Sequence, residues 1–164
     1  MASYNVTGPG GTSGHPSRGR KPYVVENVID IAQVNGDSGA ASGDVLQVMD
    51  IPAESIVLMA GLEVLTAGST SVTYDLGYGG DADRWVDGDT NAVGYADSRS
   101  VVDSGTSGTT FGNAVTFGSA DTIDITIGGA NDTAGKVRVW AVLCDVSGIE
   151  EDDRNAASQH DTAL

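Results

Sequence analysis

The stretch from Gly77 to Asn91, GYGGDADRWVDGDTN, sets Asp81, Asp83, Asp87 and Asp89 around one arginine, Arg84, and one tryptophan, Trp85. Residues of these types support three kinds of site: a calcium loop, a pair of acid–base carboxylates, or an acidic turn with an aromatic anchor. A calcium loop of the EF-hand type needs acids at its first, third and fifth positions, glycine at the sixth and glutamate at the twelfth. Counted from Asp81, those last three places hold Trp85, Val86 and Ala92; counted from Asp87, Ala92 replaces the glycine and Ser98 the glutamate. Neither register completes the motif. Clustered carboxylates also bind hard cations without a fixed motif, so the four aspartates stay metal candidates. The competing expectation is an acidic surface loop pinned by Trp85, with Arg84 neutralising one neighbour.

Catalytic arrangements are poorly supported. Two carboxylates share acid–base work only when their environments split their pKa values, which a chain with 23 acids does not reveal by spacing alone. The two histidines, His15 and His160, fall in low-complexity ends, away from any fold that could hold a Ser-His-Asp relay rigid. GYGG at 77–80 lacks the strand, turn and helix context of a phosphate or dinucleotide loop. The chain is read as a non-enzyme with no cofactor.

Its 164 residues suffice for one domain with a real core. Net charge is −15, but residues 1–22 hold Arg18, Arg20 and Lys21 and no acid, so residues 23–164 carry −18, the difference between −15 and +3. Such a body repels nucleic acid and anionic membrane, and three basic charges give little phosphate affinity against it. A basic arm on an acidic body instead points to another protein surface. Cys144, the one cysteine, excludes an internal disulfide and reads as a buried thiol. There is no signal-peptide pattern and no apolar run long enough to span a membrane. The sequons at Asn5 and Asn131 are then coincidental.

Met1 to Pro22 is rich in Gly, Ser, Thr and Pro and as a whole presents no apolar periodic face, so it reads as a flexible arm. From Tyr23 short apolar runs alternate with turn signals: YVVENVIDIAQV (23–34), DVLQVMDI (44–51), SIVLMAGLEVLTA (55–67), TSVTYDLGY (70–78), the weaker TTFGNAVTF (109–117), DTIDITI (121–127) and KVRVWAVLCDV (136–146). In the sixth, Ile123, Ile125 and Ile127 share one face, the pattern of a half-buried strand. The last run is apolar on both faces, with Val137, Val139, Ala141 and Leu143 on one and Trp140, Val142 and Cys144 on the other. A second apolar face needs cover, either a loop of the same chain or a partner. Residues 79–108 read as a long irregular loop. Ser147-Gly148-Ile149-Glu150 is a capping-box pattern opening an acidic tail, 147–164, with no apolar stripe behind it. Residues 23–146 are therefore predicted to form an all-β antiparallel sandwich, between the basic arm and the acidic tail.

Read in order, GDVLQVMDIPAESIVLMAGLEVLTA, YDLGYGGDADRWVDG, ADTIDITI and GKVRVWAVLCDVS resemble small virion structural proteins of tailed bacteriophages, over roughly residues 43–146. The turn Ile51-Pro52-Ala53-Glu54 departs from that family at Glu54, where glycine is expected. The resemblance implies a jelly-roll-like sandwich that decorates or cements a capsid from its exterior, with the major capsid protein and further copies of itself as partners. Homotrimers around symmetry axes are a common solution for such proteins. Arg18, Arg20, Lys21, Trp85, Trp140 and Val142 are the expected contact residues. The alternative is a receptor- or glycan-binding head of a fibre or spike, for which Tyr78, Trp85 and Tyr95 would supply the stacking aromatics.

Overall fold

Ile123, Ile125 and Ile127 are all buried, and the two-residue alternation that they announce organises the whole molecule. The structure, a computed structural model, describes residues 21–90, 92–95 and 114–146. Among the described residues nine strands follow in chain order: β1 (Tyr23–Asp30), β2 (Val45–Ile51), β3 (Ser55–Thr66), β4 (Thr73–Tyr78), β5 (Asp81–Thr90), β6 (Gly94–Tyr95), β7 (Val115–Phe117), β8 (Asp121–Gly128) and β9 (Lys136–Asp145). One sheet runs β1-β9-β3, with β6 and β7 both pairing with β3; the other runs β2-β8-β4-β5. All pairs are antiparallel.

The pairing is nested. β1 pairs with β9, β2 with β8, β3 with β6 and β7, and β4 with β5. Such a chain is one long hairpin whose strand pairs fold over into two facing sheets, the jelly-roll arrangement of the sandwich. The expected fold is the observed one. Val57, Leu62, Val64, Val137, Val139, Ala141 and Leu143 from the first sheet meet Ile51, Val72, Tyr74, Leu76, Val86 and the three isoleucines of β8 from the second. Sheet-on-sheet burial of alternate residues is the main stabilising term in such a fold.

Three expectations from the sequence are corrected. The segment from Asp81 is not an irregular loop: residues up to Thr90 form β5, paired with β4 from Thr73↔Thr90 to Tyr78↔Asp81. Aspartate is depleted in strands, so composition argued against this one, but main-chain pairing along β4 overrides that preference. Two register shifts in the β4–β5 pair break the alternation, leaving the neighbours Trp85 and Val86 both buried. The hairpin closes tightly because Gly77 lacks a Cβ that would collide with the backbone of Asp81 and Ala82. The second correction is the end of β1: Ile31–Gln33 is a 3₁₀ turn, released from the sheet, with Ile31 buried as a plug. The third is Cys144, which lies half-buried on the outer face of β9 rather than in the core.

Candidate functional site

β9 places Trp140, Val142 and Cys144 on the face of the first sheet that points away from the core. Opposed residues of antiparallel strands share a face, so the registers give the rows of this surface. Cys144 lies beside Ile56; Val142 lies between Val24 and Met59; Trp140 lies between Glu26 and Gly61; Arg138 lies between Val28 and Glu63. A register shift after Val57 turns both Leu58 and Met59 into half-buried residues at this edge. Val24 is 68% exposed and Val28 51%. The opposite end of the face is polar, with ion pairs Arg138–Glu63 and Lys136–Asp30, the latter at 2.9 Å.

An apolar end and an ion-paired end thus share one face. The apolar end is also where the chain enters and leaves. Tyr23 lies opposite Leu143, and the Val146 N–H donates to the Glu54 carbonyl at 2.8 Å. Lys21 is exposed immediately before β1. Arg18, Arg20 and the acidic tail, with its capping-box pattern at 147–150, lie outside the described residues. So do residues 109–113 of the weak fifth run, whose part from Val115 is β7.

Among its described residues the acidic stretch does not converge on a second site. Trp85 is fully buried, packed near Tyr78 (ring centroids 5.9 Å), which also meets Phe117 edge-on at 5.2 Å. The tryptophan therefore anchors β5 from within and offers no surface for a partner or a sugar. Arg84 lies 3.7 Å from Asp81, as a neutralising pair. Asp83 and Asp87 are exposed, and the side chains of Asp89 and Tyr95 lie outside the described residues. Among the described residues no group of three or more His, Cys, Asp or Glu side chains converges as a metal site.

The most constrained carboxylate is one that sequence reasoning passed over. Asp132 is buried at 0% exposure and accepts the Tyr74 hydroxyl on Oδ2 at 2.5 Å. Its Oδ1 accepts the backbone N–H groups of Ser69 (3.0 Å), Ala134 (3.1 Å) and Gly135 (3.0 Å). Burial alone would raise the pKa of Asp132, but the Tyr74 hydroxyl and these three N–H groups outweigh it and hold the carboxyl below its ordinary value. The Tyr74 phenol is pushed far up, by burial first and then by its bond to Asp132 and that carboxylate's charge. Gly135 is required here, since a Cβ would collide with the Asp132 carboxylate and the Tyr74 hydroxyl. The cluster ties the β3–β4 and β8–β9 loops together. Its signal in the sequence was an aspartate followed by Thr133-Ala134-Gly135, read only as part of a sequon.

Asp124, on the outer face of the second sheet, is the opposite case. Burial raises its pKa, and the hydroxyl of Thr122, donating to Oδ1 at 2.7 Å, only partly offsets that, while the Asp121 charge adds to the rise.

No protein-family model and no curated protein matches this sequence. Among solved structures, the chain is similar to a chain of the cyanophage Pam1 capsid asymmetric unit. That match has a TM-score of 0.56 and 19% identity, and covers 88% of this chain and 98% of the other. A second similarity is to a chain of the acid-stable capsid of Helicobacter pylori bacteriophage KHP30, with a TM-score of 0.45 and 17% identity over 78% of this chain and 90% of that one. At these identities the first likeness establishes a shared fold, and the second adds nothing to it. The class is thus an antiparallel jelly-roll sandwich, of a form also found in a phage capsid.

Proposed function

We propose that this chain is a structural component of a phage virion that binds the outside of the capsid shell as a decoration or cement protein. The observation that carries this reading is the outer face of β1, β9 and β3, with Val24, Val142, Met59 and Trp140 grouped at one end and ion pairs at the other. An apolar sheet face rimmed by charge fits a protein–protein contact. The partners in this reading are the major capsid protein and further copies of the chain, most simply as a homotrimer. The fold shared with a chain of the Pam1 capsid supports the same reading. The basic residues Arg18, Arg20 and Lys21 would face carboxylates of a neighbouring subunit or of the shell. Burial of Trp85 and half-burial of Tyr78 withdraw two of the three aromatics that a sugar-binding head would use, so the fibre or spike alternative gains no support.

The test is binding to shells that lack the chain. Val142→Asp places a charge in the apolar end without touching the core. It should leave the fold intact by circular dichroism and sharply reduce the amount retained on shells after sedimentation. Retention equal to wild type would remove this face from the contact.

A further inference from the structure

The two edge strands that begin the sandwich leave an open cleft between the sheets. Among the described residues β1 pairs only with β9 and β2 only with β8, so each presents one unpaired main-chain edge. Between them runs a groove of about 440 Å³ whose lining includes Ile29, Val34, Leu46, Gln47 and Val48. One side chain crosses it: Asn27 Nδ2 donates to the Val48 carbonyl at 2.9 Å, already supplying one of the donors that the β2 edge needs. At the rim Val45 is 56% exposed. Open, apolar strand edges are normally blunted by proline, lysine or cover, because they template pairing with another strand. β1, with the sequence YVVENVID, contains neither proline nor lysine.

The chain carries a segment of matching chemistry. Residues 1–22 as a whole lack an apolar face, but Ala2, Tyr4 and Val6 alternate with Ser3, Asn5 and Thr7, the two-residue period of a strand. A Gly- and Pro-rich stretch follows, carrying Arg18, Arg20 and Lys21. Residues 23–51, which form both cleft strands and their connection, hold Glu26, Asp30, Asp37, Asp44 and Asp50 and no basic residue. Charge therefore favours this segment at this edge. Pro22 disfavours a helical conformation at Lys21, so the chain enters β1 extended. Residues 8–20 span up to about 45 Å when extended, enough to reach a neighbouring molecule.

We propose that residues 2–7 of one copy add as a strand at the β1–β2 cleft of a second copy, with Tyr4 and Val6 entering the groove and Arg18, Arg20 and Lys21 drawn to the net negative charge of that copy's residues 23–51. Main-chain bonds to the open edge would give affinity, and the groove would select the alternate apolar side chains. The inference concerns copies of this chain alone, so its outcome is separate from that of the shell reading.

Cysteine pairing in the full chain, with no shell present, tests it. In a Cys144→Ser background, protein carrying Val6→Cys is mixed with a differently tagged protein carrying Gln47→Cys and oxidised mildly. The control pair is Val6→Cys with Thr116→Cys, an exposed position on β7 away from the cleft. Docking raises the local concentration of the first pair, so its mixed disulfide should exceed the control by about tenfold or more. Tyr4→Asp added to the Val6→Cys protein should remove that excess. Equal yields for the two pairs would overturn the proposal. So would a chain carrying both Val6→Cys and Gln47→Cys that closes on itself when diluted into excess wild type, since the segment would then serve its own cleft.

Discussion

Replacing Asp132 by alanine removes the acceptor of four donors at once: the Tyr74 hydroxyl and the N–H groups of Ser69, Ala134 and Gly135. A hydrogen bond to a charged group contributes about 1.5–3 kcal/mol net. The four do not simply add, because they share one carboxylate and Ser69 and Ala134 lie near solvent that can replace their bonds. The expected loss is about 3–5 kcal/mol, the size seen when a buried polar network is broken. Against a total of about 5–15 kcal/mol, the variant should be marginally folded. Tyr74→Phe keeps the ring and leaves the carboxylate its three N–H partners, so it should cost about 1.5–3 kcal/mol. Equilibrium urea unfolding followed by circular dichroism measures both, and an unchanged m-value shows that the folded and unfolded states remain comparable. The pH dependence is a further check. Asp132 has its folded pKa below the unfolded value, so its contribution is present above the ordinary aspartate range and is lost as pH falls through the depressed value. The gap between wild type and Asp132→Ala should hold from neutral pH down to about pH 4 and narrow below it. An alanine variant within about 1 kcal/mol of wild type would refute the claim that this carboxylate ties the two loops.

Glu54 occupies the left-handed region with φ of 55°, which glycine adopts without steric cost. Glu54→Gly should stabilise by about 0.5–1 kcal/mol, since relief of backbone strain exceeds the added chain entropy; thermal unfolding showing a loss would contradict the strained turn. Asp124 has the opposite linkage to Asp132: its folded pKa is raised, so the ionised form is a liability at neutral pH that fades as pH falls through that raised value. Asp124→Asn should therefore raise the melting temperature at pH 7, with the gain disappearing on acidification; a pH-independent difference would rule out desolvation as its cause. EDTA should leave the melting temperature unchanged, whereas a site saturated at a hundred times its dissociation constant would add about 2.7 kcal/mol, readable as a drop of several degrees on chelation.

Which strands could be read in advance follows from their physics. β8 is marked by clean alternation, β9 by a run apolar on both faces, and β2, β3 and β4 by apolar runs that end at Pro52, Gly68 and Gly79. β5 was hidden because its aspartates mimic a loop and its register shifts put Trp85 and Val86 inside together. The second apolar face of β9 was legible as a face, but its division into an apolar and an ion-paired end depends on Val24, Val28, Met59 and Glu63, which only the strand registers bring alongside. Asp132 was illegible for the same reason: its partners Ser69 and Tyr74 are far away in the chain and meet it only through the fold.

The central claim, that the chain is a repeated component of a capsid exterior, is tested most directly by its abundance in purified virions. Quantitative mass spectrometry of intact particles, calibrated with labelled peptides of this chain and of the major capsid protein, gives the ratio of the two. The account predicts a fixed ratio of the same order as the shell protein itself, lost together with shell stability when the chain is stripped away. A few copies per particle, or none, would contradict it.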